Sequence, residues 1–598
     1  MIKEKSFRIL SVMALVSLLL QLRFIFWSET GYLVSSWMVD DTFYYLKPAW
    51  LLKLTGIFTF DGIHATYGFQ PLWMLLLTLL AHCTADKVEF IRLAMAGGAL
   101  FYCATSFLLY ALSRRWFDGT RSLIAPAIWL FNYDLISIYV TGKENALYAF
   151  LLVLVLLMLI KVIEGRSSLA MLINTGIACG LLILSRVNSL LFVALAFAAI
   201  LFVANDRWSK RWMNVGVIAS GALVTMLPWL LFAQKHFGGL LPFSGVRKLI
   251  GSEAALLHYA GKFVPFNIEW MGRLLPHGEQ LFLPAADKLA QPSLSSIAFF
   301  LCYYLPSMSI GFGIPEILKP AFKAHPSITT TIATLIIIVL LAGIARKLLR
   351  VREFQTMNEI RFLIRREFDL CLLFLFAFLN SMVNGLLLPS FLYWGKWYAV
   401  PETLSCVLLF SFVLVLTFGD MVKNMQPRVS RLIRGILSAV LVVQLGIALS
   451  PRAFSQANEY QHDAWEAHAW LDHTLPSGAR VGSWSAGVLG YFADSTTVIN
   501  LDGLGNSPGF VDSVSRNSLL YELGLSKENA MWNYIRQNRI QYIADADFDR
   551  TIGTAPFLGV VPPGNFTIIY QSAHLLDWHE SRGMRRFVII RLSYDIEQ

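Results

Sequence analysis

Apolar runs about twenty residues long, separated by short polar stretches, dominate the chain up to about residue 450. Runs of this length read as membrane-spanning helices, because that many residues cross a hydrocarbon core. The first covers 8–27. Further runs cover 91–113, 120–139, 145–163, 168–184, 189–204, 213–233, 327–345, 369–388, 400–418 and 434–450. They make about eleven spans. Two segments fit less well: 44–58 is aromatic and amphipathic, and 70–82 is apolar but short. Both are expected to lie at the membrane interface or to dip into it. Beyond Ser450 the period changes. Segments 479–483, 540–545 and 587–591 read as short strands, with helices near 462–474 and 527–538. The expected fold is a polytopic α-helical membrane protein with a C-terminal extracytoplasmic α/β domain. The division is a membrane domain over 1–450, with outer loops 28–90 and 234–326, and a second domain over 451–598.

Composition agrees with this class: of 598 residues, 56% are hydrophobic and only 15% charged. The net charge of +10 does not point to nucleic acid, because the basic residues collect in short connections. These are Arg114-Arg115, Arg207 to Arg211, Arg346 to Arg366 and Lys423 to Arg434. Basic short loops mark the cytoplasmic side, so the charge reads as topology. The six cysteines mostly lie in apolar segments and form no CxxC pair, which leaves neither a disulfide framework nor a zinc site to propose. Lys3, Lys5 and Arg8 before the first apolar run resemble a signal peptide. No small-residue cleavage site follows, and the run is read as an uncleaved span.

The candidate chemistry lies at the outer ends of the spans. Asp40 and Asp41 follow the first span directly, and the aromatics Tyr44, Tyr45 and Trp50 come next. A carboxylate there suits removal of a proton from an acceptor hydroxyl, and the aromatics would offer a stacking surface for a sugar ring. The alternative is a solvated loop with two ordinary acids. Glu144, in Gly142-Lys143-Glu144-Asn145, stands at the outer end of another span. It is either an acid favoured by a helix N-terminus or a functional group that binds a divalent metal with Asp41 or orients the acceptor. Asp61 and His64 are further ligand candidates, although a lone histidine beside a glycine-rich turn is more often merely exposed. Cations appear on the same face: Arg186, Arg247, Lys248, and Lys396 in the aromatic frame that ends at Tyr398. Together they suggest a site for an anionic lipid phosphate, while each alone fits contact with a lipid headgroup.

Asp40-Asp41-Thr42-Phe43-Tyr44 resembles the D-[DE]-x-x-Y motif in the first outer loop of the C-type (GT-C) glycosyltransferases, which use polyprenyl-phosphate sugars. Phe69 to Trp73 with Phe90 to Leu93 is similar to elements of aminoarabinose transferases and protein O-mannosyltransferases. Gly142-Lys143-Glu144 looks like the G-M-E element of a bacterial subgroup near the mycobacterial terminal arabinofuranosyltransferases, with Lys143 in place of Met. Phe237 to Lys248, Gly490-Tyr491-Phe492 and Asn500 to Asn506 resemble further signatures of that subgroup. The resemblance implies Asp40 as catalytic base and Asp41 and Glu144 as supporting acids. It sets Arg247 and Lys248 near the donor phosphate. The residues themselves offer Tyr44, Tyr45, Arg186, Lys396 and Tyr398 as further candidate donor contacts. The resemblance implies an inverting transfer, arabinofuranosyl among the possible sugars, from a polyprenyl-phosphate donor to a glycan, lipid or protein on the outer face of a bacterial inner membrane. No cofactor is implied with certainty; a divalent metal held by Asp41, Glu144 or His64 is compatible. The tail is expected to serve the acceptor, with Trp484, Tyr491 and Phe492 as a sugar-binding lip.

Two rivals stand beside this reading. An O-antigen-type polymerase or ligase would also place cations in a large outer loop, but has no need of the early acid pair. A transporter should show broken or ionisable helices at mid-membrane in repeated halves, and the sequence lacks that pattern. The loop charges make a prediction about topology. Reporters fused after Glu144, within 260–320 and at the C-terminus should report the outer compartment, and fusions near Arg115, Lys210 and Glu353 the cytoplasm. A cytoplasmic C-terminus would overturn the span assignment.

Overall fold

The computed structural model describes residues 2–204, 206–240, 242, 367–387, 398–424, 459–515, 517–518, 527–546, 560–562, 564–573, 576–577 and 584–594. The expected spans 327–345 and 434–450 and nearly all of the loop 234–326 lie outside these residues. Within them the helices run in the order α1 (Ile2–Trp27), the short turn α2 (Thr30–Tyr32), α3 (Asp40–Thr55), α4 (Pro71–His82), α5 (Lys87–Ser113), α6 (Ile124–Phe131) and α7 (Tyr133–Tyr139). There follow α8 (Asn145–Ile163), α9 (Leu169–Ser185), α10 (Ser189–Val203), α11 (Trp208–Phe237), α12 (Phe368–Leu387) and α13 (Val400–Asn424). Among the described residues, four helices are long and apolar enough to cross a membrane: Lys5–Trp27, Lys87–Ser113, Asn145–Ile163 and Trp208–Phe237. Several shorter apolar helices pack among them. The closest packing joins α9 to α11, where a Cβ added to Gly176 would lie 2.5 Å from the Ile218 carbonyl. Small residues at that crossing let the two backbones meet.

Two expectations need correction. The run 120–139 is not one helix: a 3₁₀ turn over Gly119–Leu123 leads into α6, and Asn132 separates α6 from α7. The Asn132 side chain accepts from the Leu135 amide at 3.3 Å and so starts the second helix. Carbonyls beside the break find side-chain donors. Ser17 donates to the Leu130 carbonyl at 2.9 Å, and the Tyr102 hydroxyl donates to that of Trp129. A broken helix is tolerated among apolar neighbours when such groups satisfy its backbone. The second correction concerns segment 44–58. Helix α3 starts earlier, at Asp40, and is capped by Gly56 in the left-handed conformation. Its aromatic side chains Phe43, Tyr44, Tyr45 and Trp50 are buried, so they are core residues and not an exposed platform.

The tail forms helix α14 (Glu459–Thr474) and a five-stranded sheet with smaller helices. Strands β1 (Arg480–Ser483), β2 (Thr497–Asn500), β3 (Tyr542–Ala546), β4 (Phe566–Gln571) and β7 (Phe587–Leu592) take the order β2-β1-β3-β7-β4. A separate pair, β5 (Leu576–Asp577) and β6 (Met584–Arg585), lies between them in sequence. Strand β1 runs parallel to β2 and β3, whereas β7 is antiparallel to β3 and β4. Helix α15 (Gly487–Phe492) makes the crossover from β1 to β2, and α16 (Ala530–Gln537) precedes β3. The unbroken apolar run Phe587 to Ile590 is buried, as a strand covered on both faces requires.

Asp545, near the end of β3, organises the turn after β1. Its carboxylate is fully buried and accepts from the amides of Trp484 (2.7 Å) and Ser485 (3.1 Å), the Ser483 hydroxyl (3.3 Å) and the Tyr460 hydroxyl (3.1 Å). Burial raises its pKa, and the amide donors pull it back toward the ordinary range. Replacing Asp545 by Ala leaves these donors buried without their acceptor. The expected loss is about 2 kcal/mol or more, read as a lower unfolding midpoint of the detergent-solubilised protein. An unchanged midpoint would mean that the turn does not depend on this carboxylate.

Candidate active site

Helix α3 carries the site because its first turn presents two adjacent acids on different faces. Residues four apart share one face of a helix. Asp40 and Tyr44 therefore form one stripe and Asp41 and Tyr45 the next. The first stripe meets the tail. The second meets the turn between α7 and α8.

That turn is held by side chains of the segment between α1 and α5. Trp37 donates to the Val140 carbonyl (2.7 Å), Thr42 to that of Thr141 (3.1 Å) and Trp73 to that of Gly142 (2.8 Å). Gly142 has φ of 81°, a conformation that other residues rarely adopt, and Thr42 packs against it. Lys143 and Glu144 are thereby aimed inward and are nearly fully buried. The Lys143 ammonium lies 3.0 Å from Asp41 Oδ2, and Glu144 lies 3.7 Å from Arg186. Arg186 also donates to Asn145 Oδ1 (3.2 Å), and its guanidinium sits over the rings of Tyr398 (4.7 Å) and Tyr148 (5.7 Å). Glu144 Oε2 is buried with no hydrogen-bond partner. The Tyr45 hydroxyl accepts from the Gln70 amide (3.3 Å), and burial followed by the charge of Glu144 raises its pKa well above the usual tyrosine value.

Gln70, Asn380 and Glu402 of this layer carry no role in the sequence reading. Gln70 accepts from the Val187 amide (3.3 Å). Asn188 donates to Asn380 Oδ1 (2.8 Å), and Asn380 donates to Glu402 (3.0 Å). Asn380 and Glu402 interrupt apolar helices, and polar side chains in such helices are the signal that would have found them.

On the other stripe, Asp40 is half-buried as a residue, but its Oδ1 is enclosed and has no hydrogen-bond partner. Its pKa is pushed up to about 8, first by burial and then by the charges of Asp41, Asp502 and Asp545; the Tyr44 hydroxyl acts in the opposite sense. Tyr44 donates to the Trp484 carbonyl (3.3 Å) and accepts from the Ala486 amide (3.1 Å) and Asn500 Nδ2 (3.1 Å). Tyr491 and Phe492 are buried against Phe43, with ring centroids 5.5 and 6.0 Å away. The expectation that Tyr44 and Tyr45 stack on a sugar, and that Tyr491 and Phe492 form a lip for one, is therefore corrected. These rings join the tail to the membrane domain or fill the core beneath it. Asp502 accepts from the Leu504 amide at 2.6 Å, the structural bond typical of an acid in a glycine-flanked turn.

His64 Nδ1 lies 2.6 Å from Asp61 Oδ2, a contact that raises the histidine pKa, and its ring faces Tyr534 of the tail. Among the described residues the one group of three side chains able to share a metal ion is His462, Asp463 and Glu466 in α14. Asp41, Glu144 and His64 do not form such a group: the first two face cations, and the third belongs to a separate turn. Arg247, Lys248 and Lys396 lie outside the described residues.

Comparison with known proteins agrees with this architecture. A family model described as dolichyl-phosphate-mannose-protein mannosyltransferase matches residues 70–232, and one described as a domain of unknown function (DUF8728) matches 452–587. No curated protein matches. Among solved structures, the archaeal oligosaccharyltransferase AglB from Archaeoglobus fulgidus, in complex with an inhibitory peptide and a dolichol-phosphate, is similar with a TM-score of 0.50 and 14% identity. The match covers 90% of this chain and 69% of that one. The Archaeoglobus fulgidus oligosaccharyltransferase tethered to an acceptor peptide gives 0.51 at 12% identity, over 96% and 82% of the two chains. The arabinofuranosyltransferase AftD from Mycobacteria is less similar, with a TM-score of 0.43 and 15% identity over 99% of this chain and 40% of that one. The chain is thus built on the GT-C fold of membrane glycosyltransferases.

Proposed function

We propose that the protein transfers a sugar from a polyprenyl-phosphate donor to a hydroxyl acceptor on the outer face of a bacterial inner membrane. Asp40 is the base. The observation that carries this reading is the enclosed, unpartnered Oδ1 of Asp40 at the head of α3, on a carboxyl with a pKa near 8. A base works best when its pKa lies near the operating pH. The acceptor oxygen attacks the anomeric carbon while Asp40 takes its proton. The bond from that carbon to the phosphate oxygen breaks, and the phosphate leaves with the electron pair, which inverts the configuration. Arg186, together with Arg247, Lys248 and Lys396, is assigned to the donor phosphate, where positive charge stabilises the leaving group. Glu144 holds Arg186 and Asp41 holds Lys143. A lipid-borne donor arrives already confined to the membrane plane, which favours the encounter. Arabinofuranose is among the sugars such a donor would carry.

The first test supplies membranes containing the protein with synthetic polyprenyl-phosphate sugars and measures radiolabel transfer. Asp40→Asn should lower turnover by about a hundredfold or more at unchanged protein level, because an amide cannot take the proton. Failure of the wild type with every such donor, alongside transfer of pyrophosphate-linked glycans, would replace this reading by a polymerase or ligase.

The pKa of Asp40 also fixes two dependences on pH. Transfer should rise as the pH approaches about 8, where the carboxylate form appears, and then level off. The stability effect has the opposite sense. A folded-state pKa above the unfolded value contributes stability below the unfolded pKa, and this is lost as pH rises through the folded one. Asp40→Asn removes that loss, so the variant should melt higher than the wild type at pH 9, with a smaller advantage at pH 6. Equal differences at both pH values would mean that the Asp40 pKa is not raised.

A further inference from the structure

Two residues of the tail touch Asp40 itself, and neither contact follows from a role in acceptor binding. The N-terminus of α3 has no side-chain cap of its own: Val39 precedes Asp40 and offers no acceptor. Gln461 of α14 takes that place. With its amide oriented as its neighbours require, its oxygen accepts from the Asp40 N–H at 2.6 Å, and its nitrogen donates to the carbonyls of Val34 (2.8 Å) and Met38 (2.6 Å). The same side chain thus ties down both the start of α3 and the turn that leads into it. Gly487, the first residue of α15, forms the wall on the other side. A Cβ there would lie 2.4 Å from Asp40 Oδ1 and 2.6 Å from its carbonyl oxygen, too close for any side chain. The wall is rigid because the preceding turn hangs from Asp545 by the Trp484 and Ser485 amides, while Ala486 is bonded to Tyr44.

We infer that Gln461 and Gly487 are positioning residues for Asp40, so that the base is assembled only when the tail is docked on the membrane domain. The inference rests on the assignment of Asp40 as base. A glycine wall leaves Oδ1 enclosed but without a donor, a state that costs free energy in any folded protein. A helix cap supplied from another domain makes the direction of the first turn of α3 depend on docking. The ionisable groups facing Asp40 come from several elements. They are Asp41 and Tyr44 on its own helix, Tyr460 on α14, Asp502 in the turn after β2 and Asp545 on β3. Three of these five groups, Tyr460, Asp502 and Asp545, belong to the tail, and withdrawing the tail removes them together with the wall.

The test uses the full-length protein with Gly487→Ala, the milder Gln461→Met, and Lys87→Met as a control for docking alone. Lys87 pairs with Asp494 and donates to the Tyr491 carbonyl at 2.9 Å, without contact to Asp40. Gly487→Ala should lower kcat about tenfold or more and leave the donor KM within about twofold, since a displaced base slows proton removal more than donor binding. Its acid limb in the pH profile should move away from that of the wild type. Gln461→Met should shift both readouts in the same direction by a smaller amount. Lys87→Met should lower the melting temperature without moving the acid limb. Titration of the Asp40 carboxyl by infrared difference against Asp40→Asn gives a readout without any donor, and keeps the test valid where Gly487→Ala is poorly folded. An unchanged kcat, acid limb and carboxyl titration in both tail variants, with Asp40→Asn inactive, overturns the inference while leaving the base intact. Full turnover by Asp40→Asn removes the base assignment and this inference with it.

Discussion

Two adjacent carboxylates opening a helix at the mouth of a membrane bundle must both be met, and here they are met from opposite sides. The one-residue step from Asp40 to Asp41 turns the side chain by more than a quarter of a helical turn. Asp41 therefore reaches Lys143 at 3.0 Å, while Asp40 turns toward Gly487. Everything else of consequence follows from that division. The turn over 140–144 is built to deliver Lys143, and the tail is built to enclose Asp40.

The electrostatic result is a separation of roles among three acids. Asp41 faces an ammonium and Glu144 faces a guanidinium, each partner being nearly buried. Such pairs contribute little net stability, but removing one member leaves an isolated buried charge. Asp40 has no cationic partner among the described residues, and acids surround it. Burial and these acids raise its pKa to about 8. A buried carboxyl with its pKa raised this far is a candidate functional group.

The tail is best understood as a wall of the site. Its buried aromatics Tyr491 and Phe492 pack on Phe43, the Lys87–Asp494 pair lies beside them, and Phe60 fits against Gly490 and Gly505. Each contact joins the segment between α1 and the start of α5 to the tail. Burial of several aromatics in one junction supplies more adhesion than the polar contacts around it.

Much of this was legible in the sequence. Apolar runs of bilayer length marked α1, α5, α8 and α11, and short segments of strand length marked β1, β3 and β7, because hydrophobic pattern and length are local properties of the chain. The acids at 40, 41 and 144 and the cation at 186 stood out because charges at the ends of apolar runs are rare. The break at Asn132 was hidden, since the side chains of Ser17 and Tyr102 that satisfy it come from distant helices. So were the short elements α15 and β2, which are fixed by pairing and not by period. The sequence named the aromatics near Asp40 and in the tail, but only the tertiary structure decided that they pack on each other. It also decided that Gln461 and Gly487, more than 400 residues from Asp40 along the chain, meet its backbone N–H and its carboxylate. Hydrogen bonds and close approaches between distant segments have no local signature, and they alone determine which of two neighbouring acids is left without a cation.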